Sequence, residues 1–467
     1  MPGMQTRQVR YDAVVIGSGQ ASESLAIEFA RAGFNTALLD QFASGCSCVE
    51  SGCPSSISLI ASANVARLAR RASDFGVRTG RVVVDFGKVQ MRRHAVIEGL
   101  RNQAMQTLRD TPGLTTLQGD VRFESAESLL VSAKDGGVVA VQGQRIFINT
   151  GSRPALPDLP GLGEVPYLTS SSAMELDELP DHLLVVGGSY LGVELGQMFR
   201  RFGCRVSIVE RQSQLLARED RDIAASVAEI LRDDGVEVFL ETEAIGIAND
   251  AAGGIRLKVK IPSGEHMLSG SHLLVAAGRE PVTDGLNLAA AGIAVDAHGY
   301  INVNERLETS APGVYALGGV NGGPAFTHVA YDELRIIRAN LLEHIQLGAT
   351  ERMYPYRAFI DPQLGRIGLT ESHARNEGRT VRVAKLPMNR VGRSVELNEP
   401  RGLMKVVVDS STHRILGAAA LGVGSGEIMA MLQIAMMANI PYTSLRDGMF
   451  VHPLAGSLNT LFATLDG

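Results

Sequence analysis

The chain has 467 residues, 45% apolar and 20% charged, with 44 basic against 50 acidic side chains and a net charge of -6. At roughly 150 residues per domain this length points to about three domains. The slightly acidic balance carries no electrostatic footprint for nucleic acid, and no run approaches the roughly 20 apolar residues that span a bilayer.

The opening residues pass from a short polar lead directly into an apolar stretch, without the charged, apolar and cleavage regions of a secretory signal. A cytoplasmic protein is expected. Asp12–Ile16 reads as a buried strand, Gly17–Ser22 as a Gly-rich turn, Glu23–Ala32 as a helix stopped by Gly33, and Thr36–Asp40 as a second strand ending in an acid. Three of the four cysteines follow within eight positions, at Cys46, Cys48 and Cys53, with only Cys204 apart. In a reducing compartment such clustering reads as redox chemistry or metal binding rather than a structural staple.

The strand, turn and helix pattern returns at Leu183–Val186, Gly187–Gly192, a helix through Phe202 and a strand Val206–Glu210. Arg153-Pro154-Ala155-Leu156-Pro157 and Gly278-Arg279-Glu280-Pro281 bracket this second unit as an insertion. Arg200 and Arg201 read as a solvated helix face. After Tyr354-Pro355 come short strands at Met404–Val408 and Ile415–Leu421, a Met-rich helix over Glu427–Ala438 that reads first as core, and a C-terminal apolar helix. The expected fold class is α/β, with two Rossmann-like domains and a C-terminal α+β domain.

Two nucleotide sites follow. Gly17-x-Gly19-x-x-Ser22 lets the backbone approach a pyrophosphate and presents helix N-terminal N–H groups to its charge, and Asp40 can accept from ribose hydroxyls. Gly187-Gly188-Ser189-Tyr190-Leu191-Gly192 repeats this logic, with Glu210 in the ribose-binding place. An acid there disfavours a 2′-phosphate, so NADH is favoured over NADPH, although adjacent Arg211 keeps NADPH open.

Cys48-Val49-Glu50-Ser51-Gly52-Cys53 resembles the CxxxxC disulfide of the pyridine nucleotide-disulfide oxidoreductases, the group of dihydrolipoamide dehydrogenase, glutathione reductase and mercuric reductase. Asn149-Thr150-Gly151 and Ala277-Gly278-Arg279 resemble that family's crossover motifs. Gly323–His328, Asp361–Gly365 and His452-Pro453 resemble further segments of it. The likeness runs from about Tyr11 to Phe462. It implies an FAD domain over 1–153 and 281–350, an NAD(P) domain over 154–280 and an interface domain over 351–467 that forms a homodimer. It also implies a relay in which electrons pass from NAD(P)H through FAD to the disulfide, with Cys53 next to the flavin and Cys48 exchanging with a small-molecule substrate. Two inert buried cysteines are the bland alternative.

The sequence departs from this family at four places. The lysine that follows the second cysteine falls on Ile57, leaving its partner Glu194, whose carboxyl is expected to be raised by burial. The carboxylate that orients the C-terminal histidine, His452, is replaced by Gly456 or Ser457. The aspartate of the FAD ribityl site falls on Gly319, a loss of about 1.5–3 kcal/mol of charge-assisted hydrogen bonding. Cys46, Ser47 and Glu50 alter the run around Cys48, and no cysteine follows Cys204. The catalytic candidates are therefore Cys48, Cys53, Glu194 and His452. Those for cofactor binding are Gly17, Gly19, Ser22, Asp40, Thr150, Gly151, Gly319, Gly187, Gly192, Glu210, Gly278 and Arg279. The expected function is an FAD-dependent NAD(P)H oxidoreductase on an unidentified acceptor, and not a standard lipoamide, glutathione or mercuric reductase. The alternatives are a flavoprotein using FAD as a platform for non-redox acid/base or cyclisation chemistry, and a non-catalytic homologue.

Overall fold

Strand formation begins at Arg7, five residues before the apolar run itself, because Arg7–Tyr11 pairs in parallel with Val139–Gly143. Long-range pairing thus extends the element beyond what local pattern specifies. The computed structural model describes residues 7–40, 52–250, 253–350, 352–454 and 456–466. It divides into two units, one of Met1–Ser58, Met91–Ala155 and Arg279–Arg352, the other of Leu59–Gln90, Leu156–Gly278 and Met353–Gly467.

The first unit is built on a seven-stranded sheet. Its order is Leu114–Gln118, Thr36–Asp40, Arg7–Ile16, Val138–Ile148, Ser128–Ser132 and Asp120–Ser125, with Val314–Ala316 also on Val138–Ile148. The strands around Arg7–Ile16 are parallel, whereas Ser128–Ser132 joins antiparallel to both its neighbours. Apolar side chains fill both faces. Val14, Ile16, Leu39 and Ile146 pack on one, and Ala13, Val15 and Phe147 meet Leu25, Phe29, Leu334 and Ile337 on the other. The carboxyl ends of Arg7–Ile16 and Thr36–Asp40 therefore deliver Gly17 and Asp40 to one edge, where open parallel sheets bind ligands.

In the second unit a four-stranded parallel sheet has the order Glu237–Phe239, Arg205–Val209, His182–Val186 and His272–Val275. A three-stranded antiparallel sheet runs Glu243–Asn249, Ile255–Ile261 and Gly264–Gly270. The C-terminal part is a five-stranded antiparallel sheet with Gln363–Gly368 and Ile415–Gly422 at its centre. The helix Ser425–Met437 packs down on it where Gly365 has no side chain, since a Cβ there would lie 2.6 Å from Met429 Cγ. The Met-rich helix is core on one side only. Ile428, Met429, Leu432 and Ala435 are buried, while Ile434 and Met437 are 66% and 65% exposed.

The reading of Arg200 and Arg201 as a solvated face is corrected at Arg201. Its side chain is buried, with Nη2 2.8 Å from Asp234 and Nη1 2.6 Å from Asp361. Ion pairing lets the helix Tyr190–Phe202 bury a cation that hydropathy alone would assign to solvent. Among the described residues no helix is long and apolar enough to cross a membrane.

Candidate active site

The FAD-type cradle is assembled at the edge of the first sheet. Gly17 has φ of 122°, and a Cβ on it would lie 2.3 Å from the carbonyl oxygen of Asn149. Only glycine satisfies both conditions. Gly19 caps the helix Gln20–Arg31 without a side chain, which leaves the amides of the first turn facing the loop. Ser22 Oγ donates to Asn149 Oδ1 at 2.7 Å, and Asn149 Nδ2 donates to Leu317 O at 2.6 Å. One amide thus fixes the Gly-rich helix, the crossover and the segment before Gly319. Asp40 is buried at the end of its strand. These residues fit a dinucleotide.

Thr150, Gly151 and Arg279 are held in the same unit. Thr150 Oγ1 donates to Val282 O at 2.6 Å and Gly151 O accepts from Val282 N at 3.0 Å. Ser152–Pro154 pairs antiparallel with Arg279–Pro281, and the Arg279 guanidinium binds Ser152 Oγ at 2.8 Å and also Ser152 O. A Cβ on Gly319 would come 3.0 Å from Ser152 Oγ. The Gly319 backbone thus sits against a hydroxyl tied to a cation. Ser152 and Glu333 are residues the sequence reading missed. Glu333 is 1% exposed and accepts from Gly318 N at 2.6 Å while pairing with Arg352 at 3.0 Å. An acid within the apolar spacing of Thr327–Leu341 is the only local signal for it.

The second cradle lies in the second unit. Gly192 is required by close approach, because a Cβ there would lie 2.0 Å from the carbonyl oxygen of Gly187. Glu210 follows the strand Arg205–Val209, and its carboxylate accepts from Gly188 N–H at 2.7 Å and Gln212 N–H at 2.8 Å. The acid is therefore fixed across the mouth of the loop. Gly278 ends the segment that follows the strand His272–Val275.

Cys53 begins the helix Cys53–Arg70, exposed, with Thr327 Oγ1 3.9 Å from its Sγ. A helix N-terminus favours the thiolate. Cys46 and Cys48 lie outside the described residues, and among the described ones no His, Cys, Asp or Glu cluster could hold a metal ion. Cys204 is buried, and desolvation pushes its thiol up to about 11, which suits a packing residue.

The pyridine nucleotide-disulphide oxidoreductase family matches residues 11–333, and the dimerisation domain of that family matches residues 354–460. The chain belongs to this family. It is 37% identical over 459 residues to the probable pyridine nucleotide-disulfide oxidoreductase RclA of Escherichia coli strain K12, covering 97% of this chain and 99% of that protein. The mercuric reductase of Streptomyces lividans is 32% identical over 431 residues, covering 92% and 90%. Among solved structures, a Cu(II) complex of the HOCl-induced flavoprotein disulfide reductase RclA from Escherichia coli superimposes with a TM-score of 0.89 at 36% identity, covering 97% and 99%. The expected fold class and family are thereby shown. The protein is a flavin-dependent pyridine nucleotide-disulfide oxidoreductase, a family that uses FAD and a pyridine nucleotide.

Two further residues singled out in the sequence, Glu194 and His452, lie in the second unit. Burial pushes the Glu194 carboxyl up to about 7, against the opposing effects of the Phe359 N–H, which it accepts at 2.8 Å, and of Arg357. His452 is exposed, in a segment where Met449 and Val451 are 100% and 76% exposed. Gly456 is buried, and a Cβ on it would lie 3.3 Å from Ile428. A buried clasp that sequence did not signal holds the start of the second Gly-rich helix. Tyr190 Oη donates to Glu219 at 3.3 Å, Tyr356 binds the same oxygen, and Arg366 pairs with the other at 3.1 Å.

Proposed function

We propose that this oxidoreductase takes electrons from NADH and cycles Cys48 and Cys53 to reduce a small-molecule acceptor outside the lipoamide, glutathione and mercuric ion classes. The observation that carries this reading is Cys53 at the N-terminus of an 18-residue helix in the unit that holds the FAD-type cradle. Bound FAD supplies the two-electron carrier between nucleotide and thiols. Gly17, Gly19, Ser22, Asp40, Thr150, Gly151, Gly319 and Arg279 hold FAD, whereas Gly187, Gly192, Glu210 and Gly278 orient NADH. Glu210 confers the NADH preference by repelling a 2′-phosphate. Glu194 holds or releases a proton near neutral pH. Without a carboxylate partner, His452 acts alone as proton shuttle from the dimerisation domain, and the working form is a cytoplasmic homodimer. Residues 1–153 with 281–350, 154–280 and 351–467 are the FAD, nicotinamide and interface domains.

Anaerobic titration of the purified protein with NADH tests the reading. Flavin bleaching followed by a long-wavelength thiolate-to-flavin band is expected, with the band lost in Cys48→Ser and Cys53→Ser. No bleaching overturns it. Retained turnover in both variants would favour the non-redox alternative. Since RclA forms Cu(II) complexes, Cu(II) belongs among the acceptors assayed. Replacing Glu210 by Ala is expected to raise kcat/KM for NADPH relative to NADH by about tenfold, equivalent to about 1.4 kcal/mol.

A further inference from the structure

The turn that begins at Cys53 is fastened by a buried cation. Arg93, in the helix Phe86–Arg109, is 2% exposed, and its Nε donates to Ser55 Oγ at 2.6 Å. Ser55 is fully buried in the first turn of the Cys53 helix. Neighbouring bonds brace the same turn, with Ser56 Oγ donating to Cys53 O at 3.2 Å, Ser58 Oγ to Ser55 O at 2.8 Å, and Arg92 to Ser58 O at 2.8 Å. Residues 53 and 55 stand about 200° apart round a helix, so Arg93 approaches from the buried side while Cys53 takes the exposed one. Ile57 is one turn on from Cys53 along that same side and is apolar, in the place of the family's lysine.

We propose that Arg93 is a positioning residue that stabilises the Cys53 thiolate, supplying from the buried side of the turn a positive charge that the position of Ile57 lacks. A guanidinium is not deprotonated in proteins, so its charge is present at every working pH. The proposal rests on the thiol-cycling reading. In it, one hydride equivalent from NADH breaks the Cys48–Cys53 S–S bond, leaving NAD⁺, a Cys48 thiol and a Cys53 thiolate. A helix is about 10 Å across, and a unit charge at that distance in an effective dielectric of about 20 displaces a thiol titration by about one pH unit. Among the described residues, polar and titratable groups near the turn include Arg92 and His94 on the Arg93 helix, with His94 Nε2 3.2 Å from Arg93 Nη1, and Thr327 and His328 at the start of Thr327–Leu341.

Iodoacetamide alkylation of the reduced holoprotein across pH 5–10, with the Cys53 peptide followed by mass spectrometry, tests the assignment. Wild type is expected to give a midpoint below the free-thiol value of about 8.5, and a midpoint at or above it overturns the proposal without any variant. Arg93→Met is expected to raise the midpoint by about one pH unit, and Arg93→Lys to restore most of that shift. Ser55→Ala, a smaller change that spares the fold, is expected to raise it by a few tenths. Unchanged midpoints in Arg93→Met and Ser55→Ala would mean that Arg93 only braces the helix. Because alkylation reads the thiol directly, failure of NADH to reduce Cys53 would overturn the cycling reading and leave the Arg93 result standing.

Discussion

Glu194 is a buried acid whose charge works against folding. With its carboxyl raised from 4.5 to about 7, the folded state binds more protons than the unfolded one across that window. Stability therefore falls as pH rises through it and stays lower above it. Glu194→Gln keeps an acceptor for the Phe359 N–H and removes the titration. Urea unfolding at pH 5 and pH 8 is expected to show the variant gaining about 2–3 kcal/mol on wild type between the two. The raised carboxyl was legible in sequence, because an acid among the apolar residues of a Gly-rich helix could be reasoned about locally. Arg93 and Arg201 were not. Their burial follows from Ser55 on one neighbouring helix and from Asp234 and Asp361 far along the chain, and an arginine in a helix carries no local mark of such partners. Cys48, the residue on which the sequence argument leaned most, lies outside the described residues.

At the scale of elements, the two Gly-rich turns were legible because each couples a strand, a close backbone approach and a helix start in a fixed order. The observed strand Thr36–Asp40 and helix Tyr190–Phe202 follow the pattern closely. The start at Arg7 and the antiparallel Ser128–Ser132 were not legible, since both depend on sheet partners distant in sequence. The turns make separable predictions. In Gly17→Ala the new Cβ would meet the Asn149 carbonyl, and loss of most bound FAD, read from the ratio of flavin to protein absorbance, is expected. In Gly192→Ala it would meet the Gly187 carbonyl, and KM for NADH is expected to rise at least about tenfold with FAD content unchanged. A variant that lost both cofactors together would show global misfolding instead.

At the scale of the whole molecule, the second unit carries both a buried charge cluster and exposed apolar side chains. Burial raises the Asp234 carboxyl, but Arg201 and Arg401 more than offset this and hold it below the usual range. Its stabilisation is present above the ordinary aspartate range and is lost as pH falls through the lowered value. Asp234→Asn, which leaves Arg201 to Asp361 and Arg401 to Glu399 alone, is expected to cost about 2 kcal/mol near neutral pH, measured by denaturant unfolding. Met449 and Val451 stand exposed beside His452 in the dimerisation domain, so for the proposed homodimer Val451→Glu is expected to shift the protein toward monomer in sedimentation velocity. The Asn149 amide links residues 127 and 168 positions away, at Ser22 and Leu317. In a chain made from its N-terminus, the Gly-rich loop is synthesised early, whereas the Asn149 bond to Leu317 forms only after Leu317 has left the ribosome. A fragment that stops short of Leu317 therefore lacks one of the two partners that hold the Asn149 amide.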